Sequence, residues 1–203
     1  MKRAELFHPR VFDDVDWARG YYENNKESIA QTGRRLGKLL TRLDVRKGHL
    51  VDMGCGFGGV AAEIAILHPK IRVTGIDLAE PLLEIAEDLA DRKTVEDRVS
   101  FAKGDVQHVD LPDDSADIVV SSYMLHIVED PLRMLAEIER IAKPGATILI
   151  TDLRRIWVAW FEKKLRTAFS TQEARELIVR SVLRKGVFAT GPFWWDYIVE
   201  GGR

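Results

Sequence analysis

The sequence predicts an α/β fold in which a mostly parallel sheet is covered by helices on both faces. Two observations carry this reading. From Gly48 onward, short β-branched runs alternate with segments of helical periodicity, and parallel strands need such crossover helices between them. The first run also empties into a glycine-rich turn, "LVDMGCGFGG" at residues 50–59, which opens a helix. A third observation modifies the picture: the chain closes on two aromatic runs split by Gly191-Pro192. That break is too short for a crossover, so the last two strands form an antiparallel hairpin and the sheet is mixed.

Taken in order, "ESIAQTGRRLGKLLTRL" reads as an N-terminal helix laid over the domain or its binding cleft, with Trp17, Tyr21 and Tyr22 preceding it. "GHLVDM" is a short buried strand, followed by the helix "GGVAAEIAILHP", which Pro69 stops. "IRVTGID" is the second strand. The next helix, "AEPLLEIAEDLADRKTV", places Leu82, Leu83, Ile85, Ala86 and Leu89 at helical spacing, with Pro81 in the first turn where its missing N–H costs little. "RVSFAKGD", "ADIVVSS" and "GATILITDL" are strands three to five. Between the last two, "EDPLRMLAEIERIAKPG" is a helix with Leu132, Leu135, Ile138 and Ile141 on one face, ended by Pro144 and Gly145. Two helical segments follow, "RRIWVAWFEKKLRTAF" and "TQEARELIVRSVLRK", the second opened by a capping box of Ser170 and Glu173. "GVFAT" and "FWWDYIV" form the closing hairpin, and the aromatic-rich last strand is a candidate interface.

A length of 203 residues suits one domain with a full core. It divides into an N-terminal helical lid segment (1–43), a central core (44–153), and a helical insert with the C-terminal hairpin (154–203). Thirty Lys and Arg against 32 Asp and Glu give a formal charge of −2, with no global attraction for nucleic acid. The one local candidate is Arg154, Arg155, Lys163, Lys164 and Arg166 among Trp157, Trp160 and Phe161, which reads first as a helix with a solvated face. The single cysteine, Cys55, excludes an internal disulfide and multi-thiolate zinc sites. With no signal peptide and no apolar run long enough to cross a bilayer, the expected location is the cytoplasm.

The glycine-rich turn fits two patterns. Gly54, Gly56 and Gly59 spell G-x-G-x-x-G, a dinucleotide turn, whereas Asp52, Gly54, Gly56 and Gly58 spell D-x-G-x-G-x-G. Asp77 ends the second strand 19 residues past Gly58, near the ~20 at which an acid meets a ribose hydroxyl pair. Both patterns need a ribose, so other residues decide. Asp52 at the tip of the first strand would repel a pyrophosphate yet serve a ligand carrying an ammonium and a sulfonium. "KGDVQ" at 103–107 puts an acid after the third strand, suited to an adenine amino group. The closing hairpin is foreign to the usual dinucleotide-binding domain.

"LVDMGCGFGG", "VTGID", "FAKGDVQHVDLPDDSADIVVSS", "LRMLAEIERIAKPGATILITD" and the closing hairpin together resemble the class I S-adenosylmethionine-dependent methyltransferases, in particular the small-molecule group with the quinone-precursor enzymes. The resemblance spans roughly residues 26–200 and implies a Rossmann-like three-layer α/β/α sandwich. Its seven-stranded sheet has the order 3-2-1-4-5-7-6, with an antiparallel last strand. It further implies S-adenosyl-L-methionine as cofactor and S-adenosyl-L-homocysteine as product. Asp52, Gly54 and Gly56 would form the floor under the methionine part, with Cys55 as a small filler between them. Asp77 would hold the ribose and Leu78 the adenine face. Gly104, Asp105 and Val106 would meet the adenine edge, and Ser121 would lie near the transferred methyl.

Methyl transfer from a sulfonium is an in-line displacement, so the protein mainly aligns the acceptor and excludes water. A base is needed only where the acceptor must lose a proton. "SSYMLHIVED" supplies the candidates: Tyr123 to hydrogen-bond the acceptor, and His126, an imidazole suited to proton exchange, to take a proton. Tyr21 and Tyr22 are candidates to enclose the acceptor, whereas Trp157, Trp160, Trp194 and Trp195 read first as core packing. No "NPPY" or "DPPY" follows the fourth strand, which disfavours methylation of DNA bases or glutamine, and no metal is expected. The expected partner is a small-molecule acceptor, with no nucleic acid and no membrane span, for a monomer or homodimer. The competing readings are an S-adenosylmethionine-binding protein without transfer activity that acts through a partner, and a nicotinamide-dependent oxidoreductase.

Overall fold

The computed structural model describes residues 13–155 and 167–201. A seven-stranded sheet of order β3-β2-β1-β4-β5-β7-β6 forms its centre. The strands are β1 (Lys47–Met53), β2 (Lys70–Asp77), β3 (Val99–Lys103), β4 (Ala116–Ser122), β5 (Ala142–Leu153), β6 (Val187–Thr190) and β7 (Trp194–Val199). The helices are α1 (Val15–Arg42), α2 (Gly59–Leu67), α3 (Glu80–Arg92), α4 (Pro131–Ile141) and α5 (Thr171–Arg180). β1 to β5 run parallel, and β7 is antiparallel to both β5 and β6. This is the order and polarity that the resemblance implied.

Side chains alternate between the two faces of each strand, and the core splits accordingly. Val51, Met53, Val119, Ile148 and Ile150 pack with Leu135 and Ile138 of α4 and Leu177 of α5. Leu50, Ile118, Val120 and Leu149 pack on the other face with Leu36 and Leu40 of α1 and Ala61 and Ile64 of α2. The middle of β4, Ile118–Val120, is continuously apolar because both faces are covered, so its side chains do not alternate in polarity.

Two boundaries differ from the sequence reading. α1 begins at Val15, so Trp17, Tyr21 and Tyr22 lie on the helix and do not precede it. Asp14 caps it, accepting from the backbone N–H groups of Asp16 and Trp17 at 2.9 and 3.0 Å. The weak helix formers Asn24 and Asn25 hid this continuation, yet Ala18, Tyr21, Tyr22, Ile29, Leu36 and Leu40 form one continuous stripe. α4 stops at Ile141, and β5 starts at Ala142, paired with Ala116 through a register shift, so Pro144 lies within the strand and does not end the helix. β7 lies between β5 and β6, as in the expected order, so the sheet edge on that side is β6.

The capping box of Ser170 and Glu173 forms as read. Most of the segment "RRIWVAWFEKKLRTAF", with Trp157, Trp160, Phe161, Lys163, Lys164 and Arg166, lies outside the described residues. Trp195 is fully buried and stacks on Phe188 at 5.4 Å between centroids. Trp194 is half-buried, with the Arg35 guanidinium 5.1 Å over its ring.

Candidate active site

The carboxyl ends of β1 to β4 gather the polar residues that the sequence singled out. Between β1 and α2, Gly54, Gly56 and Gly58 all have positive φ (81°, 52° and 71°), a region that side chains enter at a cost. Gly59 does not; it is an ordinary first residue of α2. The functional alternation is therefore that of D-x-G-x-G-x-G. The turn is tied to β2 by the Gly54 and Cys55 N–H groups, which donate to the Ile76 carbonyl at 2.8 and 3.0 Å. A Cβ on Gly54 would collide with Met124, and one on Gly58 with Phe101 and Ala86, but one on Gly56 would meet nothing within 4 Å. Gly56 thus faces the open side of the turn.

Asp77 completes this turn. Its carboxylate accepts from the Gly56 N–H at 2.8 Å and from the Ala79 N–H at 3.0 Å, linking the glycine turn to the start of α3. Burial raises its pKa, against the pull of the Ala79, Gly56 and Leu78 amides. Asp52 is fully buried, and neither carboxylate oxygen has a hydrogen-bond partner. Desolvation, with the Asp77 charge beside it, pushes its pKa up to about 7. A buried carboxylate without partners is costly. The Cys55 thiol is buried, and desolvation with the nearby Asp77 and Asp52 charges raises its pKa, which keeps it protonated and inert.

After β3, Gly104 N–H donates to the Asp77 carbonyl at 2.9 Å. The Asp105 carboxylate accepts from the Gln107 N–H at 2.8 Å and its amide at 3.1 Å, so part of its capacity is used within its own turn. The Val106 side chain is in the core, which leaves its backbone as the part able to meet a ligand. Leu78 is 47% exposed, an apolar surface at the end of β2. The Ser121 hydroxyl is buried and unpartnered near the end of β4.

Past β4 the chain turns sharply at Tyr123, whose φ is 60° and whose N–H donates to the Thr151 carbonyl at 2.9 Å. The Tyr123 hydroxyl is 2.9 Å from Thr32 Oγ1 on α1. Thr32 spends its one hydroxyl proton on the Ser28 carbonyl at 3.1 Å, so Tyr123 donates and Thr32 accepts. His126 is buried against Asp152 of β5: its N–H donates to Oδ2 at 2.9 Å and its Nδ1 to Oδ1 at 2.5 Å. α1 covers the cleft. Trp17 stacks on Tyr21 at 5.1 Å, and Tyr21 and Tyr22 both meet Phe57 of the glycine turn edge-on. The Tyr21 phenol is pushed up to about 12 by burial and by its neighbours Asp77 and Tyr123, so it stays a neutral donor.

Sequence reasoning missed Thr32, Phe57 and Asp152. Asp152 had a signal, since "ITDL" carries an acid at or next to the last residue of its strand, as "LVDM" and "TGID" do. Thr32 and Phe57 had none beyond helical spacing and a variable place in the turn. Among the described residues, no group of three or more His, Cys, Asp and Glu side chains could hold a metal ion, and no helix is long and apolar enough to cross a membrane.

A family model described as "Methyltransferase domain" matches residues 51–150, the glycine turn through β5. Over these residues the chain carries the methyltransferase domain of the class I S-adenosylmethionine-dependent enzymes. The methyltransferase GfsG of Streptomyces halstedii is 33% identical over 153 residues, 73% of this chain and 54% of that protein. The 27-O-demethylrifamycin SV methyltransferase of Amycolatopsis mediterranei is 32% identical over 66% of this chain and 49% of its own length. The chain therefore spans about half the length of these curated relatives. The solved structure of a putative S-adenosyl-L-methionine-dependent methyltransferase from Methanococcus maripaludis shares the fold over 98% of this chain and 97% of its own. Its TM-score is 0.80 at 19% identity. S-adenosylmethionine is the cofactor of this family and S-adenosylhomocysteine its product. The residues present suit it: the chain has an unpartnered buried carboxylate at Asp52 for a positively charged group and an open backbone at Gly56 for close approach.

Proposed function

We propose that the protein transfers a methyl group from S-adenosylmethionine to a small-molecule acceptor, a reaction of class EC 2.1.1.-. The observation that carries this reading is Asp52, a carboxylate with no partner at the mouth of a glycine turn that is open at Gly56. When bound, the cofactor supplies a methyl group already activated on a sulfonium. What remains for the chain is to bind, orient and exclude water.

In this reading Asp52, Gly54 and Gly56 hold the methionine part, with Cys55 filling the turn. Asp77 holds the ribose while its oxygens also keep the Gly56 and Ala79 amides in place. Leu78, Gly104, Asp105 and Val106 enclose the adenine, and Ser121 borders the methyl. Tyr21 and Tyr123 close the cleft from α1 and from the loop after β4. Because Tyr123 gives its proton to Thr32, its oxygen presents a lone pair, and it holds acceptors through their own N–H or O–H groups. His126 acts as base for acceptors that must lose a proton: Asp152 accepts the hydrogen bond of Nδ1–H, which favours the tautomer with its lone pair on Nε2.

Calorimetric titration with S-adenosylhomocysteine and, separately, NAD tests the cofactor, and labelled methyl transfer into a metabolite extract tests turnover. Binding of the first alone, with labelled product, is expected; binding of NAD alone would overturn the reading. His126→Gln is expected to lower transfer by about 10²–10⁴-fold for an acceptor that must be deprotonated, with S-adenosylhomocysteine affinity unchanged. Full activity in that variant removes His126 as the base.

A further inference from the structure

One face of α1 carries a charge pattern that the cleft does not use. Gln31, Arg34, Arg35, Lys38 and Arg42 line a groove of about 310 Å³, four cations and one amide with no carboxylate among them. Like charges three or four residues apart on a helix repel by some tenths of a kcal/mol per pair, so the row Arg34, Lys38, Arg42 is unfavourable unless an anion offsets it. Some of this charge is accounted for. Arg34 pairs with Glu27 at 2.8 Å and Glu63 at 3.4 Å, and Arg35 with Asp196 at 2.8 Å. Arg42, in the last turn, faces the negative end of the helix dipole. Lys38 is exposed in mid-helix and makes no hydrogen bond or ion pair with any described residue.

The groove begins where the acceptor side of the cleft ends. Arg35 Nη2 donates to Thr151 Oγ1 at 2.7 Å, and the Thr151 carbonyl accepts the Tyr123 N–H. One turn earlier, Thr32 accepts the Tyr123 hydroxyl. From Thr32 to Lys38 is six residues, about 9 Å along the helix axis. A small molecule with its reactive atom beside Tyr123 spans that distance. Two cations without carboxylate partners, Lys38 and Arg42, match a dianion better than a single carboxylate, and a phosphate group carries about −1.5 to −2 at neutral pH.

We propose that this groove holds a phosphate or diphosphate group of the methyl acceptor, so that the substrate class is a phosphorylated small molecule. The assignment to the acceptor rests on the methyl-transfer reading; the anion site does not. The test is calorimetric titration of inorganic pyrophosphate into the full chain, as wild type and as Lys38→Ala/Arg42→Ala, two exposed positions whose truncation spares the core. The expected result is wild-type binding that weakens with salt, at least about tenfold loss in the double variant, and unchanged S-adenosylhomocysteine affinity in both. Protein saturated with S-adenosylhomocysteine should still take up pyrophosphate.

No pyrophosphate binding, equal binding in the variant, or displacement by S-adenosylhomocysteine overturns the site. Capture of the wild type but not the variant by anionic phospholipid vesicles, with no affinity for pyrophosphate, makes the stripe a membrane-facing patch and overturns the acceptor subsite. Phosphatase treatment of the metabolite extract is expected to abolish labelled methyl transfer. Undiminished transfer overturns the link to the acceptor, whereas no labelled product from untreated extract counts against methyl transfer itself and leaves the pyrophosphate result standing.

Discussion

Asp52→Asn is expected to make the ligand-free protein more stable above neutral pH while weakening S-adenosylhomocysteine binding by tenfold or more. Folding strips water from the carboxylate and gives it no hydrogen bond in return, so its pKa rises from 3.8 to about 7. The sign follows from linkage. A raised pKa means the folded state holds a proton that the unfolded state releases. The contribution of Asp52 to stability is thus fully present below about pH 4, declines as pH rises, and is gone once pH has passed about 7. Asn has no proton to lose. The difference in melting temperature between variant and wild type should therefore be near zero at pH 4, grow to about pH 7 and then stay level, reaching several degrees. Thermal scans in matched buffers from pH 4 to 9 read this directly. Binding moves the other way, because the ligand's cationic group loses its countercharge. A variant that binds S-adenosylhomocysteine as tightly as wild type would remove Asp52 from the site.

The second large effect is expected at Asp77. Its carboxylate accepts two backbone N–H groups, one from Gly56 in the glycine turn and one from Ala79 ahead of α3. Hydrogen bonds to a charged group contribute about 1.5–3 kcal/mol each, so Asp77→Ala both loosens the turn and removes the proposed ribose partner. Loss of S-adenosylhomocysteine affinity by about a hundredfold or more is predicted, together with a lower melting temperature. Asp77→Asn, which keeps one oxygen to accept from one amide, should fall between. Calorimetry on the three proteins separates the contributions. If Asp77→Ala melts lower yet binds unchanged, the residue is a structural tie and the ribose lies elsewhere.

The strands and their order were legible because buried parallel strands leave continuous β-branched runs, as in "DIVVS" and "TILIT", and the turn residues between them are distinctive. Glycines with positive φ were legible for the same reason: the backbone admits little else at 54, 56 and 58. What could not be read came from contacts between distant segments. Nothing local says that Thr32 meets Tyr123 across 91 residues, or that Asp152 takes both the N–H and Nδ1 of His126. The start of α1 was obscured by two asparagines whose poor intrinsic preference yields to a continuous apolar stripe. The basic stripe on α1 was visible as letters, but only the groove shows that its charges converge.

The placement of β7 has a consequence for how the chain is made. β5 gains its second neighbour only when residues Trp194–Val199 arrive, antiparallel, to fill the gap between β5 and β6. At ribosomal speeds of about 5–20 residues per second, the residues between Leu153 and Val199 take a few seconds to appear. Through that interval β5, apolar along most of its length, is an open edge able to recruit a strand from another chain. The bond that fastens the outcome, Arg35 to Asp196, joins residues 161 apart. Nascent chains stalled before β7 should therefore be the aggregation-prone species, and a chaperone that shields one sheet edge would suffice to protect them.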